Sequence, residues 1–141
     1  MIDIGANLTS SEFAGDLDEV LVRARAEGVE HIIVTGTCNR SSRASAALAR
    51  LHPDILSATA GIHPHHADRA TEDDMEEVRR LIRDEHVVAV GETGLDHFRD
   101  FASRENQERV FRAQVEIALG AGMPLFIHDR DSGGEVLRVL K

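Results

Sequence analysis

Carboxylates and imidazoles follow three separate apolar segments of this sequence, and one of these segments shows the pattern most clearly. In AVGETGLDHF, residues 89–98, an apolar run leads into Glu92, and Asp96 follows shortly after. A carboxylate at the end of a buried strand is costly unless a cation or a hydrogen-bond donor pairs with it. A divalent metal ion would meet this need, lower the pKa of a bound water and polarise a phosphoryl oxygen.

The two other segments end in histidines. The polar residues that follow them, in GIHPHH and FIHDRD, are His63, His65, His66, His128, Asp129 and Asp131. Nitrogen and oxygen ligands together suit Zn²⁺ or Mn²⁺, and Mg²⁺ where histidines are fewer. A fourth apolar stretch, at the N-terminus, runs into Gly5 and Asn7.

Each of these residues also has a purely structural interpretation. Glu92 could pair with an arginine, His128 could bond to the backbone, and Asp96 could cap a turn. HPHH could form an ordinary solvated loop, and Asp131 or Ser132 could cap the last helix. Their shared position after apolar segments favours a site at which imidazoles and carboxylates converge.

The basic residues divide between two interpretations as well. Five arginines come shortly after strands, where they could meet phosphate or pair with neighbouring acids: Arg40, Arg43, Arg99, Arg104 and Arg130. Three further histidines fall at strand starts or in loops on the opposite edge, and we interpret them as structural: His31, His52 and His86.

Length and composition limit the class of protein. The 141 residues, 42% hydrophobic, are enough for one α/β domain over 1–141. A net charge of −9 argues against a nonspecific polyanion binder, but not against an enzyme that meets phosphate through a metal ion. No apolar run reaches the roughly 20 residues of a membrane span, no signal-peptide pattern is present, and Cys38 is alone. We therefore expect a cytoplasmic protein without a membrane partner.

Apolar runs alternate with helix-type periodicity, which predicts about five βα units around a parallel sheet. Strands are expected at residues 1–5 and at HIIVTGT, ILSATAG, VVAVG and PLFIHD. Helices are expected at residues 16–27, after Ser41 or Ser42, after Thr71 with Asp74 completing a capping box, after Ser103, and from Val136 onward.

This arrangement puts the candidate ligands at the carboxyl ends of parallel strands, where α/β folds hold their functional residues. Length favours a doubly wound sheet over a closed (β/α)₈ barrel, which needs about 250 residues. However, GANLTS contains neither a dinucleotide-binding nor a P-loop pattern, so no motif supports the doubly wound fold.

Several stretches, in this order, resemble the TatD family of metal-dependent deoxyribonucleases: DIGANLTS, TGT, AGIHPHH, VGETGLDHF and QVEIALGAGMPLFIHDRD. The resemblance covers essentially the whole chain. It implies an amidohydrolase-like (β/α)₈ TIM barrel, incomplete here because about five βα units are present. It also implies a hydrolase with DNA as its substrate, acting as a 3′-end exonuclease with divalent Mg²⁺, Mn²⁺ or Zn²⁺.

The resemblance assigns roles residue by residue. Glu92 corresponds to the family's metal-bridging glutamate, and His128 to a metal-binding histidine. His63 corresponds to a histidine near the reacting phosphate, and we assign Asp96 a positioning role beside it. The predicted metal ligands are therefore Glu92 and His128, and the predicted catalytic residues are Glu92, His63 and Asp96.

Two departures from the family pattern matter. Gly5 and Asn7 stand where many members carry a His-x-His metal pair, so one metal position is expected to be weaker. The family's remaining histidine and aspartate ligands lie on later strands, which this sequence does not contain, so we expect the 141-residue chain alone to be inactive or nearly so. Two other functions stay open: hydrolysis of another ester or an amide, and a non-catalytic α/β remnant that binds metal.

Overall fold

The computed structural model describes residues 1–141 and contains one parallel sheet with the strand order β1-β2-β3-β4-β5. The strands are β1 Ile2–Ala6, β2 His31–Val34, β3 Leu56–Ala60, β4 Val87–Asp96 and β5 Leu125–Arg130. The helices are α1 Leu17–Ala26, α2 Asn39–Leu51, α3 Glu72–Leu81, α4 Arg104–Ala121 and α5 Glu135–Val139, with 3₁₀ helices at Ser11–Phe13 and Pro64–Arg69.

The strand order decides between the two predicted architectures. Each strand pairs with its neighbour in sequence, so the chain moves in one direction across the sheet and never reverses. A doubly wound sheet needs such a reversal, and that expectation from length alone is wrong. Right-handed crossovers in one direction put the helices on one face, as in an incomplete (β/α)₈ barrel.

The core lies between the sheet and its helices in two main clusters. In the first, Leu21 of α1 and Ala46 of α2 pack against Val34 and Leu56. The second cluster joins α3 and α4 to the other half of the sheet through Met75, Val78, Val90, Val110 and Ile117. β3 is buried along its whole length, whereas β1 is exposed at all its residues except Ala6. The two edge strands, β1 and β5, each pair on one side only.

Helix capping confirms two of the predicted starts and corrects two others. The capping box of Thr71 and Asp74 is present, and the Ser103 hydroxyl accepts a hydrogen bond from the Asn106 N–H. α2 begins at Asn39 after Cys38, so neither Ser41 nor Ser42 is its N-cap. The N-cap of α5 is Gly134, so the structural alternative for Asp131 or Ser132, capping this helix, is wrong. Compared with the polar residues that local sequence favours as caps, α2 begins earlier in the chain and α5 begins later.

The fourth strand is longer than the sequence predicts, because it continues beyond Glu92 to Asp96. Gly91 and Gly94 permit this, with φ values of 143° and 130° that few other residues adopt. A Cβ atom at Gly94 would lie 2.0 Å from the carbonyl oxygen of His128 on β5. The glycine therefore lets the two strands stay paired through the functional end of the sheet.

Two of the three histidines assigned to the opposite edge contact other side chains through their rings, and the third is held by its backbone. His31 Nε2 lies 2.8 Å from the Ser57 hydroxyl, and the His52 ring lies 3.9 Å from the Asp18 carboxylate. His86, just before β4, donates its N–H to Asp84. None of the helices is both long and apolar enough to cross a membrane.

Candidate metal centre

Three side chains from three neighbouring βα units meet at the carboxyl edge of the sheet, and we call them the His–Glu–His cluster: His63, Glu92 and His128. Glu92 Oε1 lies 3.2 Å from His128 Nδ1 and 3.7 Å from His63 Nε2. One potential ligand atom from each residue lies within 4.8 Å of the others. The predicted convergence of imidazoles and a carboxylate is therefore present in the structure.

Backbone contacts hold two members of the cluster in place. The His63 N–H donates to the Thr37 carbonyl at 2.8 Å, and the His63 Nδ1 accepts from the His65 N–H at 3.1 Å. With Nδ1 engaged in this way, Nε2 is the nitrogen that faces Glu92. The Glu92 N–H donates to the Gly36 carbonyl at 2.7 Å, which fixes the middle of β4 against the end of β2.

Asp96 lies behind the cluster and is 1% exposed. Its Oδ1 accepts the backbone N–H groups of Phe98 and Arg99, at 3.1 and 2.8 Å. Its Oδ2 lies 2.7 Å from His65 Nε2 and 3.1 Å from His128 Nε2. Burial by itself raises the pKa of Asp96, but these four donors outweigh burial and hold the pKa well below its usual range. The carboxylate is thus charged and acts only as an acceptor.

The charge on Asp96 fixes the proton of His128. A carboxylate that accepts from Nε2 keeps a proton on that nitrogen, so in the neutral ring the lone pair is on Nδ1. Nδ1 faces Glu92 Oε1 at 3.2 Å, so both atoms are on the side where a cation would be held. The donor set of one carboxylate and two imidazoles suits Zn²⁺ or Mn²⁺.

His63 is in the protonation state that a metal ligand requires. Burial, followed by the neighbouring imidazoles of His65 and His128, lowers the pKa of His63 to about 3. The ring is therefore neutral near pH 7, and its Nε2 lone pair is available on the side of Glu92.

Two glutamines of α4 brace the site, and the sequence analysis missed both. Gln107 accepts the Asp96 N–H and donates to the Asp96 carbonyl, at 2.8 and 3.1 Å. Gln114 accepts the Ile62 N–H at 2.8 Å and donates to the Ile62 carbonyl and the Thr93 hydroxyl. Their signal was in the sequence: two polar residues one heptad apart, on a helical face that is otherwise apolar and buried.

Several predicted candidates do not join the cluster. His66 is exposed on the Pro64–Arg69 helix, and Asp129 and Asp131 are exposed beyond His128. β1 ends at Ala6, so Gly5 lies in the strand and Asn7 just after it. The His97 ring is nearly buried and lies 3.9 Å from Glu135, away from the cluster.

The five arginines separate into two groups. Arg43 pairs with Glu77 at 2.7 Å, which is the structural alternative. The other four have no carboxylate within salt-bridge distance. Arg69, which the sequence analysis did not single out, also has none. Arg130 instead lies over the ring of Phe98, 4.0 Å from its centroid.

Comparison with known proteins identifies close relatives. The family described as TatD related DNase matches residues 2–141. The chain is 43% identical over 141 residues to a protein of Erwinia tasmaniensis named 3′-5′ ssDNA/RNA exonuclease TatD. The alignment covers 100% of this chain and 54% of that protein. A protein of the same name from Pectobacterium parmentieri is 44% identical over 140 residues, with 99% and 54% covered. The chain thus spans about half the length of these curated relatives.

Solved structures agree with this result. A TatD homolog from Escherichia coli superposes with a TM-score of 0.92 at 30% identity, over 99% of this chain and 54% of that one. An uncharacterized amidohydrolase from Saccharomyces cerevisiae superposes with a TM-score of 0.88 at 25% identity, over 99% and 50%. The five βα units therefore correspond to about half of a barrel of this kind.

Proposed function

Because the chain belongs to the TatD related DNase family, we propose that it provides the metal-binding half of a nuclease that removes nucleotides from the 3′ end of single-stranded DNA or RNA. The observation that carries this proposal is the meeting of His63, Glu92 and His128 from three separate βα units. The names of the curated relatives supply the substrate class and the direction of cleavage.

In this proposal the residues of the chain divide the work. His63, Glu92 and His128 would hold a divalent ion, which when bound would supply a water of lowered pKa and offset charge on the phosphate. Glu92 contributes the negative charge among these ligands, and the two imidazoles bind as neutral groups. Asp96 is a positioning residue, since it touches His128 and His65 and holds their rings in one orientation.

Unpaired arginines supply the attraction for nucleic acid that the net charge of −9 does not. Four of these unpaired arginines come at or after the ends of strands β2 to β5: Arg40 is in the first turn of α2, Arg69 is the last residue of the 3₁₀ helix after β3, Arg99 follows β4, and Arg130 ends β5. All four are exposed, and because the carboxyl ends of parallel strands share one edge, this proposal puts their guanidinium groups near the His–Glu–His cluster. Guanidinium groups form bidentate hydrogen bonds with phosphate oxygens, so we assign them to the backbone of the substrate.

Metal binding is the first measurement, because the relatives are about twice as long as this chain. Calorimetric titration with Mn²⁺, Mg²⁺ and Zn²⁺ in turn should reveal a site that Glu92→Gln weakens by more than about tenfold. The matched control is Glu85→Gln, at an exposed glutamate before β4. Equal affinity of the Glu92→Gln variant and the native chain would contradict the assignment.

Cleavage is tested with an oligonucleotide labelled at its 5′ end and incubated with each metal. Any turnover should shorten the strand stepwise from the 3′ end, and Glu92→Gln should abolish it while Glu85→Gln should not. Shortening that persists in Glu92→Gln would refute the role of this carboxylate.

Hydrolysis of an amide or another ester is the second candidate, favoured by the structural similarity to a yeast protein described as an amidohydrolase. The same ligand set can activate water towards either bond. Parallel assays on oligonucleotides and on small amides, with Glu92→Gln in both, separate the two. Metal binding with no turnover on either substrate would instead support a non-catalytic metal-binding role.

A further inference from the structure

The exposed phenylalanine rings of this protein lie in one loop beside the His–Glu–His cluster. The chain has five phenylalanines and no tyrosine or tryptophan. Phe98 and Phe101 are 58% and 62% exposed, and the other three are at least partly buried. Both exposed rings belong to residues 97–103, between β4 and α4, which we call the aromatic loop. Two exposed phenylalanines in one loop beside this cluster form a candidate binding surface.

The aromatic loop is held rigidly, so the exposure of its rings is part of the fold. Asp96 accepts the N–H groups of Phe98 and Arg99 at one end of the loop. At the other end, Ala102 is buried and its carbonyl accepts from Gln107, and the Ser103 N–H donates to Asp68 at 3.0 Å. A binding surface that is ordered before its ligand arrives loses little entropy on binding.

Phe101 is only one side chain away from the His–Glu–His cluster. Its ring meets the His65 ring edge to face, with centroids 4.8 Å apart. The His65 ring lies 4.3 Å from that of His63, and its Nε2 binds Asp96. A ligand stacked on Phe101 would therefore lie directly beside a group held at the cluster.

The cavity beside Phe101 offers polar groups for a base and, at Arg69, a cation for the adjoining phosphate. It measures about 560 Å³ and is lined by His65, His66, Asp68, Arg69 and Phe101. One oxygen of Asp68 is occupied by Ser103 and Asn106, which fixes a negative charge in the wall. This carboxylate can accept a hydrogen bond from an amino group on a base, while the Arg69 guanidinium in the same wall can bind a neighbouring phosphate.

We propose that Phe101 and the adjoining cavity bind a base of a single-stranded nucleic acid by stacking, while the unpaired arginines bind its phosphates. This inference rests on the proposed nuclease function. Aromatic side chains hold single strands in this way because every base has a π-face, so the site tolerates different sequences. Phe98, with Arg130 over its ring, provides a second surface next to the first.

The proposal selects single strands over duplexes for a physical reason. A base in a duplex has both faces covered by its neighbours, and exposing one requires unpairing and unstacking. A base near the end of a single strand is free to stack on Phe101. The chain should therefore bind a single-stranded oligonucleotide more tightly than a blunt duplex of the same length.

The test is fluorescence anisotropy with a labelled single-stranded oligonucleotide in Mn²⁺. Phosphorothioate linkages keep the strand from being consumed. Phe101→Leu should weaken binding about tenfold, within the range measured for loss of one base–aromatic stack. Leu119→Ala, at a 76% exposed residue on α4, is the control and should bind as the native chain does. Melting followed by circular dichroism checks that both variants are folded.

An abasic series identifies the contact itself. A nucleotide without a base is placed at each of the last three positions in turn. At one position, removing the base should weaken binding to the native chain about tenfold but have little further effect on Phe101→Leu. If the losses in affinity from the missing base and from Phe101→Leu simply multiply at every position, the two groups do not contact each other and the stacking inference is wrong.

The remaining outcomes separate this inference from the proposed function. Unchanged affinity of Phe101→Leu alongside tight binding by the native chain would end the stacking inference and leave the nuclease proposal standing. No binding of any oligonucleotide by the native chain would remove both. A dimer in sedimentation velocity that Phe101→Leu dissociates, with oligonucleotide affinity unchanged, would mean that a second copy covers the ring.

Discussion

Replacing Asp96 by asparagine should move the proton on His128 and thereby weaken metal binding. In the native chain, Asp96 Oδ2 lies 3.1 Å from His128 Nε2 and 2.7 Å from His65 Nε2. An asparagine can keep its oxygen on the N–H groups of Phe98 and Arg99, which leaves its NH₂ group facing the two rings. Two donors cannot face each other, so His128 is driven to carry its proton on Nδ1.

The cost of this change follows from where Nδ1 points. It lies 3.2 Å from Glu92 Oε1, so the proton occupies the place where a cation would be shared between these two ligands. Loss of an outer carboxylate partner of a ligating histidine typically lowers metal affinity by about 10- to 100-fold. That range corresponds to about 1.4 to 2.7 kcal/mol of binding free energy.

Two measurements check the reasoning. Calorimetric titration with Mn²⁺ gives the affinity, and long-range ¹H–¹⁵N NMR of the metal-free chain reports which nitrogen of His128 carries the proton. The control is Asp129→Asn, which removes an exposed carboxylate from the next residue of β5. The reasoning is wrong if Asp96→Asn binds Mn²⁺ as tightly as Asp129→Asn does, or if its Nε2 proton stays in place.

Three further predictions concern stability. Hydrogen bonds from Arg80, which contributes more, and from Arg43 lower the pKa of Glu77 from 4.5 to about 2. The ionised Glu77 therefore stabilises the fold by about 1 kcal/mol after solvent screening, fully above pH 4.5 and progressively less towards pH 2. In Glu77→Gln, the urea midpoint of unfolding should depend less on pH between pH 4.5 and pH 2 than in the native chain. The same pH dependence in both proteins would contradict this. Gly94→Ala should destabilise by at least about 2 kcal/mol, because its Cβ meets the carbonyl of the paired strand at a φ of 130°, whereas Gly120→Ala, in open space on α4, should be neutral or stabilising. Gln114→Leu should lower the free energy of unfolding by about 3 kcal/mol in chemical denaturation, because the buried N–H and carbonyl of Ile62 and the hydroxyl of Thr93 lose their partner. A loss below about 1 kcal/mol would mean that water replaces these bonds.

The sequence was most informative about the order of elements. Continuous apolar runs and helical periodicity predicted all five βα units, and Thr71 and Ser103 marked two helix starts correctly. These features are local, because they depend on residues within one or two turns of each other. Length was a misleading guide, since five strands can form either a doubly wound sheet or part of a barrel, and only the strand order separates the two.

The candidate ligands were also accessible from the sequence, but their mutual contacts were not. Parallel strands place their carboxyl ends at one edge, so His63, Glu92 and His128 were expected to be neighbours. The sequence could not show that Asp96 joins β4 rather than a turn, because that depends on how Gly91 and Gly94 pass β5. Consequently, the ring of His65 was left without a role.

By itself, the sequence determined which chemical groups follow which strands: imidazoles after the third and fifth, carboxylates at the fourth. Only the tertiary structure decided that one buried carboxylate serves two of those imidazoles, that four arginines at this edge lack acidic partners, and that Phe101 remains exposed beside them. The reason is physical. Periodicity along a chain fixes the face a residue takes, whereas distances between side chains depend on strand register and on the approach of separate segments.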